Sequence, residues 1–161
     1  MKNFKNKVAA ITGAGSGIGQ QLAVLLAKQG CHLSLSDVNA QGLAQTVELI
    51  EKSNVRVTTQ KLDVADRDAM KLWAADTVQH HGSVNMIFNN AGVALGSTVE
   101  GASYEELEWI VNINFWGVVY GTKEFLPLIK KSGEGHVSNI SSLFGLTRSE
   151  EHTSELQSPA C

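Results

Sequence analysis

The chain has 161 residues, of which 43% are hydrophobic and 18% charged, so its composition fits one globular domain and excludes a disordered chain. A formal charge of −3, without any long run of Lys or Arg, excludes a basic surface for nucleic acid or a membrane. No apolar stretch is long enough for a spanning helix or a signal peptide, and only two cysteines occur. The sequence therefore favours a cytoplasmic protein with reduced thiols.

Short apolar runs alternate along the chain with longer stretches of helical period, which predicts βαβ units and a parallel sheet. The first helix is expected to bury a stripe of Leu22, Leu25 and Leu26 and to end at Gly30. The predicted strands are residues 7–13, 32–37, 55–64, 84–92 and 135–141.

The later helices carry clearer boundary signals. Asp66 is a predicted N-cap and Gly82 a C-terminal stop for the third helix, and Ser103 and Glu106 form a capping box that opens the fourth. The fourth is expected to run as one long helix to the region of Pro127, a residue that bends helices. The second helix is expected to carry Leu43, Val47 and Ile50 on one face, and the third to bury Met70, Trp73, Ala74 and Thr77. The fourth is expected to run through Trp109, Ile113, Val118 and Phe125.

The segment TGAGSGIG at residues 12–19 joins the first predicted strand to the first helix, with glycines at Gly13, Gly17 and Gly19. Glycines allow a tight turn in which a pyrophosphate reaches the amide groups and the positive dipole of a helix N-terminus. The spacing differs from the GxGxxG of most dinucleotide folds. The alternative is a glycine turn without a ligand.

Asp37 ends the second predicted strand, where a carboxylate can accept hydrogen bonds from the hydroxyls of an adenosine ribose. The alternative is an ordinary N-cap for the helix that begins near Asn39, and the two roles are compatible. A 2′-phosphate would place like charge against Asp37, at a cost of about 4 kcal/mol at contact distance. NAD is therefore expected in preference to NADP.

Two further motifs follow the third and fourth strands: Asp63 with Val64, and the segment NNAG at residues 89–92. With these motifs the chain closely resembles the short-chain dehydrogenase/reductase family over residues 5 to about 146. The resemblance implies an α/β fold with a Rossmann-type doubly wound parallel sheet, incomplete at about five strands in the order 3-2-1-4-5. It also implies NAD(P)-dependent hydride transfer between nicotinamide and an alcohol or ketone, and a complete enzyme that is a homodimer or homotetramer.

The resemblance also assigns a cofactor site. It places Asp63 at the amino group of adenine with the Val64 amide beside it, and it gives Asn89 the role of tying the central strands together. The cofactor contacts that it implies are Gly13, Ser16, Gly17, Ile18, Gly19, Asp37, Asp63, Val64, Asn90, Ala91 and Gly92.

Two catalytic candidates come from the same resemblance. Asn114 matches the asparagine of the family's catalytic helix in preference to Asn112, because the family's glycine falls three residues later, at Gly117. Ser142 matches the hydroxyl that polarises the substrate oxygen, with Ser141 as the alternative.

The family's proton-transferring tyrosine and lysine are absent from their expected positions, where Glu155 and Pro159 stand. Residues 148–158, RSEEHTSELQS, instead read as the translation of a sequencing-library adapter. We therefore expect a dinucleotide-binding domain over residues 1–147, a non-native tail over residues 148–161, and no turnover by this chain. The alternatives are a genuine polar extension and a non-catalytic dinucleotide-binding module.

Other polar clusters are interpreted as structural. His80 and His81 are consecutive and point apart, so they cannot share a metal, and a favourable position against a helix dipole explains them. No metal-ligand spacing occurs, and no bound metal is expected. The same dipole explains the acidic residues Glu105, Glu106 and Glu108, and the tryptophans Trp73, Trp109 and Trp116 are expected in the core or at a subunit interface.

Overall fold

The structure, a computed structural model, describes residues 3–142 as a parallel sheet with helices on both faces. The strands are β1 (Val8–Thr12), β2 (His32–Asp37), β3 (Val57–Lys61), β4 (Met86–Asn89) and β5 (His136–Asn139). The helices are α1 (Gly17–Lys28), α2 (Ala40–Ile50), α3 (Arg67–His81), α4 (Tyr104–Val111) and α5 (Gly117–Lys131). The expected non-native tail, residues 148–161, lies outside the described residues.

The strands pair in parallel in the order β3-β2-β1-β4-β5, which confirms the predicted doubly wound sheet. All five residues of β1, at the centre, are buried. Its side chains alternate between two cores: Ala9 and Ile11 pack with α1 and α2, while Val8 and Ala10 pack with α3 and α5. Because the strands are parallel, their carboxyl ends share one edge of the sheet, where ligands bind in folds of this kind.

Small side chains, rather than leucines alone, bring α1 close to the sheet. Its buried residues are Gly19, Ala23, Leu26 and Ala27. Leu25 is 60% exposed, so the predicted place of Leu25 in the buried stripe is wrong. Counting large apolar residues gave too much weight to Leu25, because a helix that packs through glycine and alanine buries its small side chains instead.

The predicted boundaries of α3 are confirmed. The Asp66 carboxylate accepts hydrogen bonds from the amides of Asp68 and Ala69, and Gly82 ends the helix with a positive φ of 83°. Trp73 is 2% exposed and packs edge-on against Phe125, with ring centroids 4.9 Å apart. This contact joins α3 to α5 beneath the sheet.

The predicted single long helix is interrupted. The capping box of Ser103 and Glu106 forms as expected and opens α4. A π-helical segment, Asn112–Trp116, then separates α4 from α5, and Pro127 lies inside α5. Trp109 is 45% exposed, so it lies outside the core of this chain, and a place at a subunit interface stays a prediction. A π segment widens the helix by one residue per turn, which changes the direction of the side chains that follow it.

The side chain of Asn85 joins three segments at the amino edge of the sheet. Its Oδ1 accepts a hydrogen bond from the Val8 amide at 3.0 Å, and its Nδ2 donates to the Ser132 hydroxyl at 3.1 Å and the Glu134 carbonyl at 3.2 Å. The backbone of Asn85 also pairs with Val8 and with His136. The starts of β1 and β5 are therefore both fixed to the residue that precedes β4.

The last residue of α3 is a buried histidine. His81 is 5% exposed, its Nε2 lies 3.0 Å from the Thr58 hydroxyl, and its ring stacks on His32 at a centroid distance of 6.4 Å. Burial, followed by the nearby charge of Arg56, lowers the pKa of His81 to about 4. The ring is uncharged at neutral pH, so the helix-dipole interpretation is wrong for His81; His80 is exposed.

Candidate cofactor site

The turn between β1 and α1 needs glycine at two positions. Gly13 has a φ of 64° and Gly17 a φ of 52°, a region that other residues rarely adopt. A Cβ on Gly13 would lie 2.9 Å from the Cα of Ala91, whereas a Cβ on Gly17 would meet no atom within 4 Å. The first glycine thus lets two backbones touch, and the second faces open space at the start of α1.

The end of β4 holds this turn from the other side. The Thr12 hydroxyl oxygen accepts hydrogen bonds from the amides of Asn90 and Ala91 at 2.9 and 3.0 Å. The Asn90 side chain donates to the carbonyls of Thr12 and Gly13 at 2.9 and 3.2 Å. The predicted NNAG segment and the predicted glycine turn are therefore one hydrogen-bonded unit.

The carboxylate of Asp37 is held by two backbone amides. One oxygen accepts from Gly15 N at 2.8 Å, and the other accepts from Asn39 N at 2.9 Å. The N-cap of α2 is Asn39, whose side chain accepts from Gly42 N, so the interpretation of Asp37 as that cap is wrong. Each carboxylate oxygen retains further acceptor capacity, which leaves Asp37 able to bind hydroxyl groups.

A cleft of about 370 Å³ opens at the carboxyl edge of the sheet. It is lined by every predicted cofactor contact except Gly19, namely Gly13, Ser16, Gly17, Ile18, Asp37, Asp63, Val64, Asn90, Ala91 and Gly92. Gly19 is buried behind the turn, where a Cβ would meet the Gly13 carbonyl oxygen and the Asn90 side chain. Its role in the structure is to let α1 pack against the turn.

Four apolar residues that sequence reasoning missed also line the cleft: Val38, Leu62, Val93 and Ile113. Each is the immediate neighbour of a residue that the sequence did single out, at the end of a strand or in the π-helical segment. That adjacency is the signal that could have identified them. They give the cleft an apolar surface beside the carboxylates, as a site for a planar ring system requires.

The catalytic candidates lie outside the residues that line this cleft. The side chain of Asn114, in the π-helical segment, accepts from Val93 N at 2.9 Å and donates to Val93 O at 2.8 Å. Ser141 and Ser142 are exposed and follow β5 at the same edge of the sheet. The structure thus makes Asn114 the support of a segment that lines the cleft, and it places the serines beyond β5.

The residue expected to tie the central strands forms several bonds. Asn89 Nδ2 lies within hydrogen-bonding distance of Asn139 Oδ1 on β5 at 2.8 Å and of the Thr122 hydroxyl on α5 at 3.1 Å. Its Oδ1 sits where a side chain on Gly121 would be, so α5 crosses β4 closely. This contact fixes β5 and α5 to the strand that supplies the NNAG segment.

The groups that line the cleft could hold an anion and a sugar. The amides at the start of α1 and the helix dipole favour a phosphate, and the Asp37 carboxylate favours a hydroxyl-bearing sugar. Within residues 3–142, no group of three His, Cys, Asp or Glu side chains could hold a metal ion, and no helix is long and apolar enough to cross a membrane. The open space at Gly17 and the fixed carboxylate fit a dinucleotide.

Comparison with known proteins gives the same family along most of the sequence. The sequence pattern of the short chain dehydrogenase family matches residues 7–154. The protein SadH from Mycobacterium tuberculosis is 49% identical over 146 residues, which are 91% of this chain and 53% of SadH. Cyclohexanol dehydrogenase from Acinetobacter is 36% identical over 145 residues, which are 89% of this chain and 57% of that enzyme. The chain spans about half the length of the curated relatives it matches.

Solved structures share the fold. Levodione reductase matches with a TM-score of 0.87 and 32% identity over 91% of this chain and 58% of its own. A short chain dehydrogenase/reductase from Burkholderia phymatum, solved in complex with NAD, matches with a TM-score of 0.89 and 34% identity over 92% of this chain and 53% of its own. From the extent of the sequence pattern and the agreement of the fold, this chain belongs to the short chain dehydrogenase family.

Proposed function

We propose that this chain is the dinucleotide-binding part of an NAD(P)-dependent oxidoreductase that acts on an alcohol or ketone. The observation that carries the proposal is the cleft in which the glycine turn, Asp37 and the NNAG segment come together. The solved relative from Burkholderia phymatum, which holds NAD, supports the same ligand class. When bound, the dinucleotide supplies or accepts the hydride.

Different described residues are assigned to different parts of the dinucleotide. The amides of Gly17 and Ile18 at the start of α1 bind the pyrophosphate, and Ser16 lies beside it. Asp37 accepts hydrogen bonds from the adenosine ribose. Asp63 and Val64 receive the adenine. Asn90, Ala91 and Gly92 form the wall of the cleft on the β4 side.

The cofactor is proposed to be NAD rather than NADP. The carboxylate of Asp37 lies at the position where the ribose would bind, and a 2′-phosphate there would meet like charge. Among the described residues that line the cleft there is no Lys or Arg to compensate for that repulsion. Hydrogen bonds from the Gly15 and Asn39 amides hold the Asp37 carboxylate in place, and rotating it away from a 2′-phosphate would break them.

The reaction class is proposed from the catalytic candidates and from relatives. Ser142 would hold the substrate oxygen, and Asn114 would support the segment beside the nicotinamide end. The name of the relative cyclohexanol dehydrogenase includes an alcohol, in keeping with an alcohol or ketone substrate.

We propose a cytoplasmic homodimer or homotetramer for the complete enzyme. With Glu155 and Pro159 in place of the family's Tyr and Lys, this chain is proposed to bind the dinucleotide without turnover.

Calorimetric titration of the 161-residue chain tests the proposal. NADH and ADP-ribose are expected to bind, NADPH is expected to bind at least about tenfold more weakly, and no alcohol oxidation is expected. A chain that melts cooperatively yet binds neither NADH nor ADP-ribose would contradict the proposed function.

The second candidate, a non-catalytic binding module, is favoured by Glu155 and Pro159 alone. Sequencing the natural gene separates the two. A longer gene that encodes Tyr and Lys four residues apart supports the enzyme. A gene that encodes this tail, together with NADH binding, supports the module.

A further inference from the structure

We propose that Thr46 of α2 is a positioning residue that sets the carboxylate of Asp37 through the glycine turn, and so contributes to the choice of ribose. This inference rests on the proposed function, because it concerns how the same cleft recognises a dinucleotide. Thr46 is not among the residues that line the cleft. Its effect would pass through the backbone of Ala14 and Gly15.

Thr46 stands where α1, α2 and the turn meet, and its side chain is 0% exposed. Its hydroxyl oxygen lies 2.8 Å from the Ala14 carbonyl and 3.0 Å from the Gly42 carbonyl, and it accepts from Gln20 Nε2 at 3.0 Å. A helical threonine that has no further partner bonds only to the carbonyl four residues earlier, here that of Gly42. The bond to Ala14 therefore ties α2 to the turn.

The helix and the turn are in direct backbone contact at this place. A Cβ on Gly42 would lie 2.6 Å from the Gly15 carbonyl oxygen, so α2 cannot move toward the turn. A Cβ on Gly15 would lie 2.9 Å from Asp37 Oδ2, so the turn also touches the carboxylate. These contacts leave little free space between α2 and Asp37.

A sequence of contacts follows from Thr46 to the ribose site. Thr46 fixes the Ala14 carbonyl, Gln20 bonds to both Thr46 and the Gly15 carbonyl, and the Gly15 amide donates to Asp37 Oδ2 at 2.8 Å. Removal of the Thr46 hydroxyl leaves the buried Ala14 carbonyl and the half-buried Gln20 amide group without this partner. The turn then relaxes, and the bond that orients Asp37 weakens.

The variants Thr46→Val and Thr46→Ser test this inference. Thr46→Val keeps the shape and removes the hydroxyl, whereas Thr46→Ser keeps the hydroxyl. Calorimetry with ADP-ribose and with 2′-phospho-ADP-ribose measures both affinity and choice of ribose. We expect Thr46→Val to bind ADP-ribose about tenfold more weakly and to lose most of its preference over the 2′-phosphate. Thr46→Ser is expected to stay within about threefold of the wild type on both measures.

The ratio between the two ligands separates positioning from general loosening. A loss of packing weakens both ligands equally and leaves the ratio unchanged, which would overturn the inference, as would a Thr46→Val protein that binds ADP-ribose as the wild type does. If Thr46→Val does not fold by circular dichroism, Gln20→Met removes the link from Thr46 to the Gly15 carbonyl and must shift the ratio in the same direction. A folded wild type that binds neither ligand refutes the proposed function instead.

Discussion

The two halves of the sheet differ in how completely their residues are buried. All of β1 and the four inner residues of β2 are buried, and the turn that follows β1 is bonded to α2 and to β4. On the other side, β5 has no fully buried residue, and α4 and the π-helical segment have none either. The adenosine end of the proposed site is thus fixed by an internal network, whereas the catalytic candidates lie on exposed elements. Binding at the two ends of the proposed site can therefore be tested separately, with ADP-ribose for the adenosine end and NADH for the whole site.

The largest expected effect comes from Gly19→Ala. Its new Cβ would meet the Gly13 carbonyl oxygen and lie 2.6 Å from Asn90 Nδ2, so the turn and the NNAG segment must separate. We expect ADP-ribose affinity to fall by more than about 30-fold and the melting temperature to fall by about 5 °C. Gly96→Ala is the matched control, because a Cβ there meets nothing within 4 Å. Equal behaviour of the two variants would show that the network is not needed for binding.

Asp37→Asn removes the charge and replaces one of the two oxygens that accept from the Gly15 and Asn39 amides with a donor. The affinity for NADH is expected to fall about tenfold, and the preference for NADH over NADPH is expected to narrow by a similar factor, because the repulsion of the 2′-phosphate disappears. Titration with both dinucleotides measures this change. Asp76→Asn removes the same charge from α3, outside the cleft, and should leave the ratio unchanged. An unchanged ratio in Asp37→Asn would mean that another group selects the ribose.

The stability of the chain is expected to fall in acid, because His81 is buried where α3 packs against β2 and β3. In the folded chain the pKa of His81 is lowered to about 4. Between about pH 6.5 and pH 4, His81 is therefore protonated in the unfolded chain and neutral in the folded chain. Stability from this group is full above that window and is lost as the pH falls through it. We expect the free energy of unfolding to fall by about 2 kcal/mol between pH 7.5 and pH 5, measured by urea denaturation. His81→Gln should flatten that dependence; a slope that persists in the variant would assign it to other groups.

The smallest expected effect is that of Asn114→Leu. This change removes both bonds to the Val93 backbone, on the exposed side of the site. NADH affinity is expected to fall about threefold, while ADP-ribose affinity stays within about twofold, because the adenosine end depends on other contacts. Asn112→Leu, two residues earlier in the π-helical segment, is the control. Equal losses for both ligands would contradict the division of the site into two halves.

Much of the fold could be predicted from the sequence because its signals are local. Strand and helix alternation, the N-cap at Asp66 and the stop at Gly82 depend on neighbouring residues, and all of them agree with the structure. The glycine turn was also recognisable from its place between a strand and a helix. What the pattern could not show was that Gly19 serves packing, because that depends on Gly13 and Asn90 in the folded chain.

The remaining differences arise from contacts that are distant in sequence. The π-helical segment coincides with the pairing of Asn114 with Val93, which a helical period cannot reveal. The exposure of Leu25 follows from how closely α1 approaches the sheet. The bond between Asp37 and Gly15 joins residues 22 positions apart, so the sequence left open whether Asp37 also caps the second helix.

Asn85, at the opposite edge from the cleft, has a consequence for the dynamics of the whole sheet. The Val8 amide donates to the Asn85 side chain, the Asn85 amide donates to the Val8 carbonyl, and the His136 amide donates to the Asn85 carbonyl. Each of these protons exchanges with deuterium when its own hydrogen bond opens. A common, slow exchange rate for all three amides would show that the well-buried and the exposed halves of the sheet open as one cooperative unit, whereas faster exchange at His136 would show that β5 opens alone.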